Sequence, residues 1–272
     1  MIDPAQVAFF IPGVILKRDP QKDTKLKLFN RISATIERAG GKTVRGNPEE
    51  LDSMSKQGRT PVVGCSPELT DLIAQWRSLR RPYVYWDRGY FRRVYATWLP
   101  PGTIGGYYRF HINRYQLGRM LEVPDDRWKS ANIQVKPWRK NGKHIVIAAP
   151  TRTYAKFHRT ESWIADTIDA LSRVTTRQLV IRDKESKRAL QEDLEGAHAL
   201  VTHGSIAAVE SVILGTPVFV DTSSAAALVG LTDLKQIERP AYPDRQPWLN
   251  SLGYSQYSED ELTDGTLWKL LQ

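Results

Sequence analysis

The part of this sequence best suited to hold an anionic ligand is a glycine–serine turn between two apolar runs, with one carboxylate behind it. In residues 199–221, ALVTHGSIAAVESVILGTPVFVD, the first four residues are apolar and β-prone, as expected of a strand buried on both faces of a parallel sheet. His203, Gly204 and Ser205 make the turn. Ser205 is a good N-cap, and Ile206, Val209 and Ile213 recur at the spacing of a helix face packed on a sheet. Gly215 and Pro217 stop that helix, and Val218–Val220 is the next strand. Glu210 is the only charged side chain between Ala199 and Val220. Such a unit offers backbone N–H groups and a helix N-terminus at the carboxyl edge of a sheet, where anionic ligands of α/β proteins bind. A carboxylate behind the turn is placed to hold sugar hydroxyls. A plain βαβ crossover with a tight turn reads the same way.

Two further strand ends in the second half carry suitable groups. Thr151 and Arg152 follow the apolar run at 143–149, and Arg182 and Lys184 follow the run at 178–181. Crossovers of one hand would bring these residues and His203, Gly204, Ser205 and Glu210 around one cleft, with hydroxyls, cations and amides for a diphosphate. In the first half, Asp87 ends the strand at 82–86 beside Gly89, where a carboxylate can accept a proton from a substrate hydroxyl. An Asp–Gly turn residue bonding its own backbone is the plain alternative. His111 is a second candidate base. Arg88, Arg92, Arg93, Arg109 and Arg114 are interleaved with Tyr95, Trp98, Tyr107, Tyr108, Phe110 and Tyr115. Guanidinium groups hold phosphates and rings stack on bases, so this mixture fits a surface for nucleic acid with exposed bases. Aromatic core residues are the competing reading. Pro100, Pro101, Gly102, Gly105 and Gly106 suggest a loop able to move over a substrate.

The elements that would position these groups alternate as strand and helix. Strands are expected at 7–11, 43–44, 60–64 and 82–86, with helices at 25–39 and 66–79; Tyr107–Leu117 resumes as strand or short helix. In the second half the strands at 143–149, 178–181, 199–202 and 218–220 alternate with helices at 160–173, 190–195 and 206–214. Terminal helices are expected at 248–252 and 259–271. This rhythm predicts an α/β fold of two Rossmann-like domains facing each other across a cleft. Residues 123–143, polar and broken by Pro124, Pro137 and Gly142, read as a linker. The domains are therefore 1–140, basic and acceptor-binding, and 141–272, donor-binding with C-terminal helices.

The 272 residues carry 39 Lys and Arg against 30 Asp and Glu, a net charge of +9. Residues 1–140 hold 25 cations against 13 carboxylates, and residues 141–272 hold 14 against 17. That asymmetry suggests a polyanionic partner for the first half, nucleic acid before an acidic glycan or membrane surface. A single cysteine, Cys65, excludes an internal disulfide and any cysteine-based metal cluster. With no run of 18 apolar residues and no signal-peptide pattern at the N-terminus, the expectation is a soluble, cytoplasmic protein without a membrane partner. No G-x-G-x-x-G follows a strand, which disfavours a dehydrogenase.

The second half resembles the GT-B glycosyltransferases, whose donor half carries Gly or Ser, then Glu, then Gly-x-Pro before a strand; here these are Gly204, Ser205, Glu210, Gly215 and Pro217. The resemblance implies a nucleotide-sugar donor, UDP-glucose among the candidates, with its diphosphate on the turn at 203–206, its ribose or sugar on Glu210, and no metal or other cofactor. Sugar-nucleotide epimerases share the fold and much of this pattern. Residues 85–91 (YWDRGYF), 107–116 (YYRFHINRYQ) and 243–262 (PDRQPWLNSLGYSQYSEDEL) are similar to segments of phage-encoded glycosyltransferases that act on hydroxymethylated pyrimidines in DNA. That similarity implies DNA as acceptor, Asp87 as general base, and an infected cell's cytoplasm as the setting. The chain is short for GT-B and lacks a motif that identifies the sugar. The alternatives are an epimerase, a glycan-directed transferase, or a non-catalytic nucleic-acid-binding protein.

Overall fold

The computed structural model describes residues 2–19, 23–91, 106–186 and 188–271. Their strands are β1 (Val7–Ile11), β2 (Lys42–Arg45), β3 (Thr60–Val63), β4 (Val84–Arg88), β5 (Tyr107–Ile112), β6 (His144–Ala148), β7 (Gln178–Arg182), β8 (Ala197–Thr202), β9 (Val218–Val220) and β10 (Gln256–Ser258). They form two sheets in an α/β chain that divides into two compact units, residues 1–115 with 254–272, and residues 116–253.

The first unit has a six-stranded sheet in the order β10-β5-β4-β3-β1-β2, with β4, β3, β1 and β2 parallel, β5 antiparallel to both its neighbours, and β10 therefore in the same direction as β4. All five residues of β1 are buried, which its unbroken apolar run requires of a central parallel strand. The helix Thr24–Arg38 lays Leu26, Phe29, Ile32 and Ile36 on this core, and Asp23 caps it by accepting from the Leu26 amide at 2.8 Å. Phe29 meets the edge of Trp86 at 5.0 Å. The chain's end returns to this unit: Tyr257, Leu262, Leu267 and Trp268 join the same core. The helix expected at 259–271 is two short ones, Glu259–Thr263 and Thr266–Leu270, separated at Gly265 where φ is +84°.

The second unit has a parallel sheet in the order β7-β6-β8-β9, with Leu231 bridging to Phe219 beyond β9. The helix Trp163–Ser172 packs Leu171 against Ile145, Ile147, Ala199, Val201 and Phe219. Right-handed crossovers put that helix and the helix Ala207–Ile213 on opposite faces of the sheet. Thr151 and Arg152, expected at the end of β6, open the helix Arg152–His158.

The boundary expected at 140 falls inside the second unit. Residues 123–143 are polar in sequence, yet they are pinned along their length. Trp128 is buried, the Arg127 Nε donates to the Gly253 carbonyl at 2.9 Å, and the Lys136 amide donates to Ile213 O at 2.9 Å. Arg245 donates to the carbonyls of Val212 and Lys136 and stacks 4.2 Å from the Trp138 ring. Counted over the observed units, the first holds 20 cations against 14 carboxylates, net +6, and the second 19 against 16, net +3. Much of the expected asymmetry therefore came from where the chain was cut.

Candidate functional site

The carboxyl ends of β6, β8 and β9 carry the most developed site of the second unit. The Thr202 hydroxyl donates to the Ala148 carbonyl at 2.7 Å, tying β8 to β6, and the Asp221 amide donates to the His203 carbonyl at 2.9 Å, tying the end of β9 to that of β8. His203 and Asp221 thus stand side by side. Gln116, 4% exposed, fixes both loops: its Nε2 donates to Gly204 O at 2.7 Å and its Oε1 accepts from the Ala225 amide at 2.9 Å.

His203 is held from one side. The Tyr154 hydroxyl lies 3.0 Å from Nδ1, the Tyr154 ring stacks on His158 at 4.0 Å, and Trp163 meets the His203 ring edge-on at 6.3 Å. Burial pushes the His203 pKa below its ordinary value, against the pull of Asp221, so the ring is neutral at pH 7. Asp221 Oδ1 accepts from the amide and hydroxyl of Ser223 at 2.8 and 2.6 Å. Burial works to raise the Asp221 pKa, but the Ser223 bonds and His203 outweigh it and hold the carboxyl below the usual range.

Beside this pair opens a cavity of about 360 Å³, lined among others by Trp163, Phe219, Thr160, Asp166, His203 and Asp221. Its size lies at the lower end of ligand pockets. The Thr160 hydroxyl oxygen is buried without a hydrogen-bond partner among the described residues. Rings, hydroxyls and carboxylates around one space suit a neutral, hydroxyl-bearing ring compound better than a bare anion.

Gly204 has a local reason to be glycine: a Cβ there would land on the Tyr154 hydroxyl. Ser205 Oγ accepts from the Ala207 amide at 3.2 Å. The hydrogen bonds described for this turn leave the amides of Gly204, Ser205 and Ile206 unused. Glu210 is half-buried on the helix Ala207–Ile213 and does not line the cavity. Thr151 caps the helix Arg152–His158 by accepting from the Tyr154 amide at 3.2 Å, with Arg152 exposed as its first residue. Lys184 is exposed beyond β7. Arg182, expected at a phosphate, is instead committed to Asp193, whose side chain is fully buried, and to the Arg188 carbonyl at 2.9 Å. A carboxylate without solvent keeps its guanidinium partner.

In the first unit, Asp87 lies on β4 and its side chain is 39% exposed. Its Oδ2 accepts from Arg109 Nη2 at 2.9 Å, and its Oδ1 accepts from the Arg88 amide at 2.8 Å. Arg109, expected on a nucleic-acid surface, is 4% exposed and also donates to the Arg88 carbonyl at 2.7 Å. Burial pushes the Lys25 pKa down, with Asp87 opposing, and burial together with Asp87 pushes the Cys65 thiol up to about 12. His111 is 3% exposed, with Nε2 2.7 Å from the Tyr90 hydroxyl, and burial takes its pKa well below the ordinary value. That interior position removes it from the bases a bulky acceptor could meet. Arg114 is exposed, Tyr107 and Arg88 are half-buried, and Arg92 and Arg93, with the glycine loop through Gly105, lie outside the described residues.

Sequence reasoning missed Gln116, Tyr154, Trp163 and Asp221 as site residues. Tyr154 and His158 are four apart, the spacing of helical neighbours, and Asp221-x-Ser223 is a side-chain turn signal. Neither pattern says what it will face.

No protein-family model and no curated protein matches the chain. Among solved structures, the KpsC β Kdo 2,7 transferase of Thermosulfurimonas dismutans is similar at 12% identity and a TM-score of 0.49, over 96% of this chain and 99% of that one. The KpsC β Kdo 2,4 transferase of the same organism is similar at 13% identity and a TM-score of 0.47, over 92% of each chain.

Proposed function

We propose that this protein is a glycosyltransferase that moves a sugar from a nucleotide-sugar donor to a hydroxyl acceptor. The observation that carries this reading is the cavity at the carboxyl ends of β8 and β9, where a neutral imidazole and an ionised carboxylate stand beside an aromatic wall. Nucleotides bind at this edge of open parallel sheets. In this reading the second unit holds the donor, with the diphosphate near the unused amides of Gly204 to Ile206 and the cations Arg152 and Lys184. As the acceptor oxygen attacks the anomeric carbon, the bond to the diphosphate breaks and those groups stabilise the leaving charge. The first unit holds the acceptor. Asp87, exposed on one side, receives the acceptor proton, and its Arg109 partner fixes its orientation.

The acceptor we favour is a hydroxymethylated pyrimidine in DNA, in keeping with the first unit's net charge of +6 and the exposed Arg114. The test is incubation with a panel of nucleotide sugars and with hydroxymethylated or unmodified DNA, followed by product masses. The expected result is one hexose mass added to the hydroxymethylated DNA only. Donor hydrolysis or transfer to a glycan without any DNA product would remove the DNA assignment, and no turnover of any donor would remove the enzyme reading. Asp87→Asn is expected to bind donor normally while losing transfer.

A further inference from the structure

We propose that His203 and Asp221 form a clamp that reads one hydroxyl of the donor's ribose, a task the sequence pattern places on Glu210. This deepens the donor reading above and rests on it. The geometry begins with a gap. His203 Nε2 and Asp221 Oδ2 face each other at 4.0 Å, too far for a hydrogen bond. The gap is held open by the surroundings: the His203 carbonyl takes the Asp221 amide at 2.9 Å, and Ser223 occupies Oδ1 with two donors.

A hydroxyl oxygen about 2.8 Å from each atom fits across that distance with an angle of roughly 90° at the oxygen, open enough for it to accept on one side and donate on the other. The tautomer follows from the neighbours. Nδ1 has the Tyr154 hydroxyl at 3.0 Å to donate into it, while Nε2 faces an ionised carboxylate, so the ring proton sits on Nε2. The hydroxyl then accepts from Nε2–H and donates to Oδ2. Only a group that is both donor and acceptor satisfies the pair, which a phosphate oxygen or an ammonium does not. The His203 side chain is only 13% exposed, so an unmet Nε2–H carries a desolvation penalty that a ligand hydroxyl removes.

The ribose is the favoured source of that hydroxyl because the clamp opens into the cavity beside Trp163 and Phe219. A ring held there leaves the phosphates toward the turn at 203–206. Glu210, by contrast, is carried by the helix on the other face of the sheet and does not line the cavity. Tyr154 is a positioning residue, acting through His203.

The test is calorimetric titration of the full chain with uridine, cytidine, guanosine and adenosine diphosphates, then with the 2′-deoxy and 3′-deoxy analogues of the tightest. One deoxy analogue should bind about ten- to a hundredfold more weakly, the loss of a hydrogen bond to a charged group. Asp221→Ala should weaken the ribonucleotide by a similar factor and that deoxy analogue no further. Asp221→Asn, which keeps an oxygen for Ser223, separates a lost clamp from a lost fold and should show the same pattern. Tyr154→Phe should weaken the ribonucleotide several-fold more than the deoxy analogue. Equal binding of ribo and deoxy forms, or an Asp221 penalty that is the same for both, would overturn the clamp while leaving the donor site standing. Failure of all four diphosphates to bind would remove both. Competition by a free hexose, with no effect of the ribose hydroxyls, would also overturn the ribose assignment.

Discussion

Replacing Gln116 by leucine should destabilise the second unit and disorder the turn that carries His203. Both ends of this buried amide are used: Nε2 donates to Gly204 O at 2.7 Å and Oε1 accepts from the Ala225 amide at 2.9 Å. Leucine has a similar volume but serves neither group, and both Gly204 and Ala225 are buried. Each orphaned buried polar group costs about 1–3 kcal/mol, and the gain from burying the leucine side chain offsets about 1 kcal/mol. The net loss for the two groups is therefore about 1–5 kcal/mol. For a unit of this size that lowers Tm by roughly 3–15 °C. Gln116→Glu should cost at least as much at neutral pH, because a carboxylate can still accept from Ala225 but faces the Gly204 carbonyl with no proton to donate. Urea unfolding monitored by circular dichroism measures the loss, and nucleotide titration of the still-folded variant reads the effect on the turn. If Gln116→Leu unfolds within about 0.5 kcal/mol of the parent, half of the smallest single orphan penalty, the turn is not held as argued.

Three other outcomes follow. The His111 pKa is depressed by burial, so the unfolded chain binds the extra proton near pH 6.5 while the native state does not. Stability should be level above pH 7 and fall by about 1.4 kcal/mol per pH unit below 6.5 until the native pKa is reached; in His111→Gln, urea unfolding at pH 7.5 and 5.5 should show a smaller drop. With its thiol pushed to about 12, Cys65 should resist iodoacetamide at pH 8 in the native protein and react at the rate of a free thiol in denaturant; fast native labelling would contradict the raised thiol. Ser258 accepts from the Glu261 amide at 3.3 Å while Glu261 accepts from the Ser258 amide at 2.8 Å, a capping box, so Ser258→Ala should cost about 1 kcal/mol in chemical unfolding.

Most of the parallel strands were legible because they are short apolar runs that local pattern alone exposes, β2 with its single buried Val44 being the exception. The buried β8 and the stop at Gly215, with φ +81°, stand where the residues place them. Other features gave no local signal. The strand β10 is three residues whose partner, β5, lies about 150 positions earlier, and residues 123–143 look like a linker until Trp128 and Trp138 find the residues they pack on. Arg182 and Arg109 have the composition of surface cations, and burial against Asp193 and Asp87 decides otherwise.

The sequence by itself determined the alternation of strands and helices and the glycine–serine turn after β8, because hydrophobic period and turn chemistry are properties of neighbouring residues. Which side chains share the cavity was decided only by the tertiary structure. His203, Asp221 and Trp163 meet there because two separate strand ends and a helix converge, while Glu210, close to the turn in sequence, is carried to the other face by the handedness of its crossover.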